Sequence, residues 1–168
     1  MRDVARAAGV SVAGLYYYLP SKQTALYLIC DRIFDRLDAL MPVRTDGNAA
    51  VRLRGFIRGH LDYVIRNRDG YRVLLRDMEA LQNEYRHKLH ARRRRYFETA
   101  CDLVRQVGAG NMRIPARLAT AALFGMLNWT PTWYQGELDG RVDDLAGDMY
   151  ALFMQGIFAA SIPLKEAG

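Results

Sequence analysis

Ser11, Val12, Ala13, Tyr16, Tyr17 and Lys22 fall in one short stretch, RDVARAAGVSVAGLYYYLPSK from Arg2 to Lys22, whose spacing suits contact with double-stranded DNA. Small residues at a helix start allow close approach to a groove floor, and tyrosine hydroxyls donate to phosphate or base edges. A lysine at the start of the next helix adds its charge to backbone N–H groups that attract phosphate. Nothing between Ser11 and Leu19 can make a bidentate Arg–guanine or Asn–adenine contact, so direct base readout is expected to be sparse. Thymine-methyl contacts from Val12 and Ala13, tyrosine hydroxyls and DNA shape must then supply specificity.

Those side chains need two helices and a turn to position them. Val4, Ala5 and Ala8 give a first short helix its apolar face, and Gly9 supplies the left-handed exit. Ser11 caps a second helix from about Val12 to Leu19, Pro20 closes it, and Ser21 caps a third from about Ser21 to Leu40. Leu15 and Leu19 share a face expected to meet Val4 and Ala8, while Val12 with Tyr16 and Ala13 with Tyr17 share the other. Three consecutive tyrosines span too wide an arc for all to be buried. Two helices joined by a short Gly-containing turn are the smallest unit that places a helix in a major groove.

A second constellation lies further along. Arg92, Arg93, Arg94 and Arg95 are consecutive on a helical pattern, with Arg92 and Arg93 on the face of Leu89 and Tyr96. An arginine on an apolar face either snorkels to water or neutralises an anion. The run FGMLNWTPTWY supplies Phe124, Asn128, Trp129, Trp133 and Tyr134, and Pro131 should bend its helix and open space beside the aromatics. Arg92, Arg93, Phe124, Asn128, Trp129 and Trp133 are therefore the candidate site for a small ligand. The other reading is a solvated basic face beside an ordinary aromatic core.

Enzyme chemistry finds no support. His87 and His90 lie three apart with no third ligand or adjacent Glu, so they read as surface histidines and no metal site is expected. There is no Gly-rich phosphate loop, no Gly-x-Ser-x-Gly elbow and no Cys/His nucleophile arrangement, and no cofactor is implied. Cys30 and Cys101 are solitary and read as buried thiols. With no signal peptide and no apolar run able to span a bilayer, a cytoplasmic protein without membrane contact is expected.

Hydropathy periodicity predicts an all-α chain. After a linker at Met41–Asn48, helices are expected from about Ala49 to Asn67, with Phe56, His60, Tyr63 and Val64 on one side, and from about Tyr71 to Ala80 beyond a break at Asp69-Gly70. A long helix carries Tyr85, Leu89, Tyr96, Ala100, Leu103 and Val107 and ends at Gly108-Ala109-Gly110. Pro115 suits the first turn of the next, which runs to about Tyr134, and a last helix spans Val142 to about Ala160. Ala- and Gly-rich ARLATAALFGMLNW and the last helix suit homodimerisation as a four-helix bundle. A two-fold dimer reads a roughly palindromic operator. The net charge of +6 is not concentrated on the DNA-reading stretch. Residues 1–40 hold five Lys/Arg against four Asp/Glu, residues 41–100 fourteen against seven, and residues 101–168 five against seven.

The pattern RDVARAAGVSVAGLYYYLPSKQTAL resembles the TetR family of one-component transcriptional regulators along its whole length. The resemblance implies an all-helical homodimer with an N-terminal DNA-binding domain and a C-terminal domain that binds a small effector. Carried over residue by residue, Ser11, Val12, Ala13, Tyr16, Tyr17 and Lys22 match positions that usually touch DNA. Residues 1–42 are thus expected to be the helix-turn-helix domain and 43–168 the effector-binding and dimerisation domain. Met1 falls inside the second helix of the family pattern, so the DNA-binding domain is expected to be N-terminally incomplete and the helix of Leu26 to lack one partner. FGMLNWTPTWY also resembles a subgroup controlling lipid and acyl-chain catabolism, which implies an acyl-coenzyme A thioester as effector. The expected function is that of a ligand-released repressor. The alternative is a small-molecule-binding protein that has lost DNA recognition and acts through protein partners.

Overall fold

A computed structural model describes residues 1–41 and 47–158. Among these the chain is helical: α1 (Arg2–Ala7), α2 (Val12–Tyr18), α3 (Lys22–Asp38), α4 (Ala49–Arg66), α5 (Arg68–Asp77), a 3-10 turn (Met78–Ala80), α6 (Asn83–Gly108), α7 (Ala116–Trp133) and α8 (Val142–Phe158). Most of the expected linker, the boundary at residues 42 and 43, and the end of the last helix near Ala160 lie outside the described residues.

Local chemistry sets the first three helices. Gly9 leaves α1 at φ +67°, a left-handed position that costs glycine little. The Ser11 hydroxyl accepts from the Gly14 amide at 2.9 Å, and that of Ser21 from the Thr24 amide at 3.0 Å, capping α2 and α3. Leu15 is buried as expected, but on α1 the buried residue is Ala5, while Val4 and Ala8 are exposed. On α3 the buried side is Cys30, Ile33, Phe34 and Leu37, whereas Leu28 and Ile29 are about half exposed. Burial, and secondly Asp77, pushes the Cys30 thiol up to about 11, which keeps it inert.

By packing, the chain divides into two compact units, residues 1–39 with 67–96 and residues 40–66 with 97–168. In the first, α3 packs on α5 and the 3-10 turn. The second is built on α4, which packs against α7 and α8 and buries Leu53, Phe56, Ile57, His60, Leu61 and Val64. In the first unit α5 and the first part of α6 accompany the N-terminal helices.

One boundary differs from the sequence expectation. The break before α5 sits at Asn67, and Asp69-Gly70 lies inside its first turn, where an aspartate is favoured by the helix dipole. Proline does not end α7, which continues through Pro131 to Trp133. Threonine hydroxyls on either side donate to backbone carbonyls, Thr130 to Met126 at 2.9 Å and Thr132 to Trp129 at 2.6 Å.

Candidate functional site

The stretch expected to read DNA presents its side chains to solvent. Ser11, Val12, Ala13, Tyr16 and Tyr17 of the capped α2, and Lys22 at the start of α3, are all exposed. Tyr17 is 81% exposed and its ring meets that of Tyr18 edge to face at 5.1 Å between centroids. Leu15 faces inward, so α2 is anchored by one side and free on the other. An anchored short helix with small residues first and hydroxyls next can approach a groove without rearranging.

The six residues expected to bind an effector are divided by the structure. Phe124 and Asn128 lie on the inner side of α7. The Phe124 ring sits 6.1 Å from that of Phe56, 5.7 Å from His60 and 5.9 Å from Phe97. The His60 Nε2 and the Asn128 Oδ1 lie 3.3 Å apart, a polar pair held among these rings. Trp129 and Trp133, 66% and 40% exposed, lie on a stripe of α7 turned away from that of Phe124 and Asn128. They continue an exposed run of Leu118, Ala121, Ala122 and Gly125.

Arg92 is bound by acids of α3. Its Nη1 donates to the Asp31 carboxylate at 2.6 Å and the Asp31 carbonyl at 3.0 Å. Its Nη2 donates to Asp35 at 2.8 Å and Asp38 at 2.7 Å, and its guanidinium lies 5.7 Å from the Phe34 ring centre. Burial works against the charge, but the three aspartates hold the guanidinium protonated. Arg93 is surface-exposed and 3.4 Å from Glu79, an ion pair worth little in water. Both arginines belong to the first unit and Phe124 and Asn128 to the second.

His60, Phe56 and Phe97 had no individual signal in the sequence beyond apolar periodicity. Burial pushes the His60 imidazole down to about 4, against the opposing pull of Asn128. The unfolded chain takes up this proton near 6.5 and the folded one near 4, so the unfolded state binds more protons in between. The stability contributed is full above 6.5 and is lost as pH falls toward 4, on the order of 3 kcal/mol. Denaturant unfolding from pH 7 to pH 4 should show that excess loss against a His60→Leu variant; parallel profiles would contradict it.

Among the described residues no group of His, Cys, Asp or Glu is placed to hold a metal, and no helix is long and apolar enough to cross a membrane. A family model of the tetracyclin repressor-like C-terminal domain matches residues 46–157. Among solved structures, the TetR family transcriptional regulator PfmR from Thermus thermophilus is 29% identical, with TM-score 0.78 over 92% of this chain and 86% of that one. A TetR-family regulator from Bordetella parapertussis is 27% identical, with TM-score 0.79 over 96% and 86%. AibR, solved with isovaleryl coenzyme A and operator DNA, is 23% identical, with TM-score 0.78 over 90% and 84%. No curated protein matches the chain.

Proposed function

The chain belongs to the TetR family of transcriptional regulators, which are not enzymes, and from that premise we propose that it is a repressor released from a palindromic operator by a small effector. The observation that carries the reading is the capped, one-side-anchored α2 with Ser11, Val12, Ala13, Tyr16 and Tyr17 in solvent and Lys22 at the start of the next helix. In this reading residues 1–42 read DNA and residues 43–168 carry effector binding and dimerisation. Dimerisation uses the outward faces of α7 and α8, where Leu118, Trp129, Leu152 and Phe158 are exposed. Two copies then present two recognition helices to half-sites about one DNA turn apart.

The effector binds at Phe56, Phe97, Phe124 and the His60–Asn128 pair. Aromatic walls with one convergent polar pair suit a small, largely apolar molecule carrying a single hydrogen-bonding group. The acyl-thioester end of a short acyl-coenzyme A meets that description, and the isovaleryl coenzyme A bound by AibR supports the class. Calorimetry with isovaleryl coenzyme A, paired with gel shifts on the protein's own promoter, tests this. Expected is a heat of binding that Asn128→Leu removes, and release of DNA by the same ligand. Heat only with an uncharged apolar compound would reject the thioester and keep the repressor.

A further inference from the structure

Asp31, Asp35 and Asp38 stand at i, i+4 and i+7 on one face of α3, in its C-terminal half. Alone, that arrangement opposes the helix twice. Like charges at this spacing repel, and carboxylates near a helix C-terminus meet the negative end of its dipole. The row is held by cations on α6: Arg92 bonds all three carboxylates, and Arg95 adds a 2.8 Å bond to Asp38. Arg92 is only 18% exposed and lies over Phe34, so its planar fork is fixed by packing as well as charge. Also on α6, Arg86 and Arg93 reach Glu79 in the 3-10 turn. The N-terminal part of α6 is thus ionically fastened to α3, the helix that continues directly from α2 through Leu19, Pro20 and Ser21.

Resting on the regulator reading above, we infer that Arg92 is a positioning residue: it fixes α3, and through it the recognition helix α2, to α6. Phe97 stands five residues further along the same continuous helix, about 7.5 Å of rise, and its ring belongs to the Phe124 cluster. One guanidinium makes these charge-assisted bonds to all three carboxylates, so losing that side chain breaks them together.

Two variants separate positioning from stability. Arg92→Met removes the knot and leaves the repulsion; Arg92→Met with Asp31→Asn, Asp35→Asn and Asp38→Asn removes both. In Arg92→Met, amide exchange over Val12–Tyr18 and Lys22–Asp38 should rise at least about tenfold with α4, α7 and α8 unchanged. Affinity for promoter DNA should fall about tenfold. The fourfold variant should regain wild-type thermal stability, while exchange in α2 stays raised and DNA affinity stays low. Recovery of α2 protection and DNA affinity along with stability would overturn the proposal, since Arg92 would then only neutralise the aspartates. Unchanged exchange in Arg92→Met would overturn it too. Failure of the wild type to bind its promoter would sink the regulator reading alone, because exchange still decides whether Arg92 positions α2.

Discussion

Leu152→Asp is expected to convert the dimer to monomers at micromolar concentration and to weaken operator binding at least about a hundredfold. Leu152 is 63% exposed on α8, and Leu118 and Trp129 are about as exposed on α7, so the chain itself buries none of them well. Burying such side chains against a second copy removes apolar surface from water, and an aspartate there places an unpaired charge in the interface. Because Leu152 is so exposed, the change should leave the fold of the single chain within about 0.5 kcal/mol. Light scattering on a sizing column reads the mass, and anisotropy on promoter DNA reads the affinity. An undiminished dimer with Leu152→Asp would remove α8 from the interface.

Ala13→Glu is the second large effect. Ala13 is exposed near the start of α2, so thermal stability should hold or rise slightly through a first-turn acid. Against DNA the new carboxylate meets phosphates and the groove floor, and affinity should drop by about two orders of magnitude. Tyr17→Phe with Lys22→Ala acts more gently, removing one hydroxyl and one cation, and should also lower the salt dependence of binding. Unaltered affinity in Ala13→Glu would mean that another surface reads the DNA.

Much of the N-terminal architecture is legible in sequence because its signals are local. Gly9, Ser11 and Ser21 act on their own helix ends, and their reading needs only turn and cap chemistry. Asp69-Gly70 misleads because an Asp-Gly pair suits a turn and a helix N-terminus equally, and only the packing of α5 on α3 chooses. Composition groups the two tryptophans with Phe124. Counted at 100° per residue, 124 with 128 and 129 with 133 form two separate stripes, so helical geometry alone divides them. Arg92 is different. That it lies on an apolar face is readable, but the identity of its anion is not, because Asp31, Asp35 and Asp38 are distant in sequence. A row of acids on α3 and an inward arginine on α6 are each ambiguous alone, and only the tertiary fold pairs them. His60 carries no signal of its own, since a histidine in an apolar stripe looks the same whether it packs or binds.

Sequence-specific DNA recognition by α2 in a two-fold dimer is tested most directly by footprinting the protein on its own upstream region. Expected is one protected palindrome, its half-sites about 10 base pairs apart centre to centre, which disappears with Ala13→Glu and with Leu152→Asp alike. Uniform protection without a preferred site, or a footprint untouched by both substitutions, would contradict it.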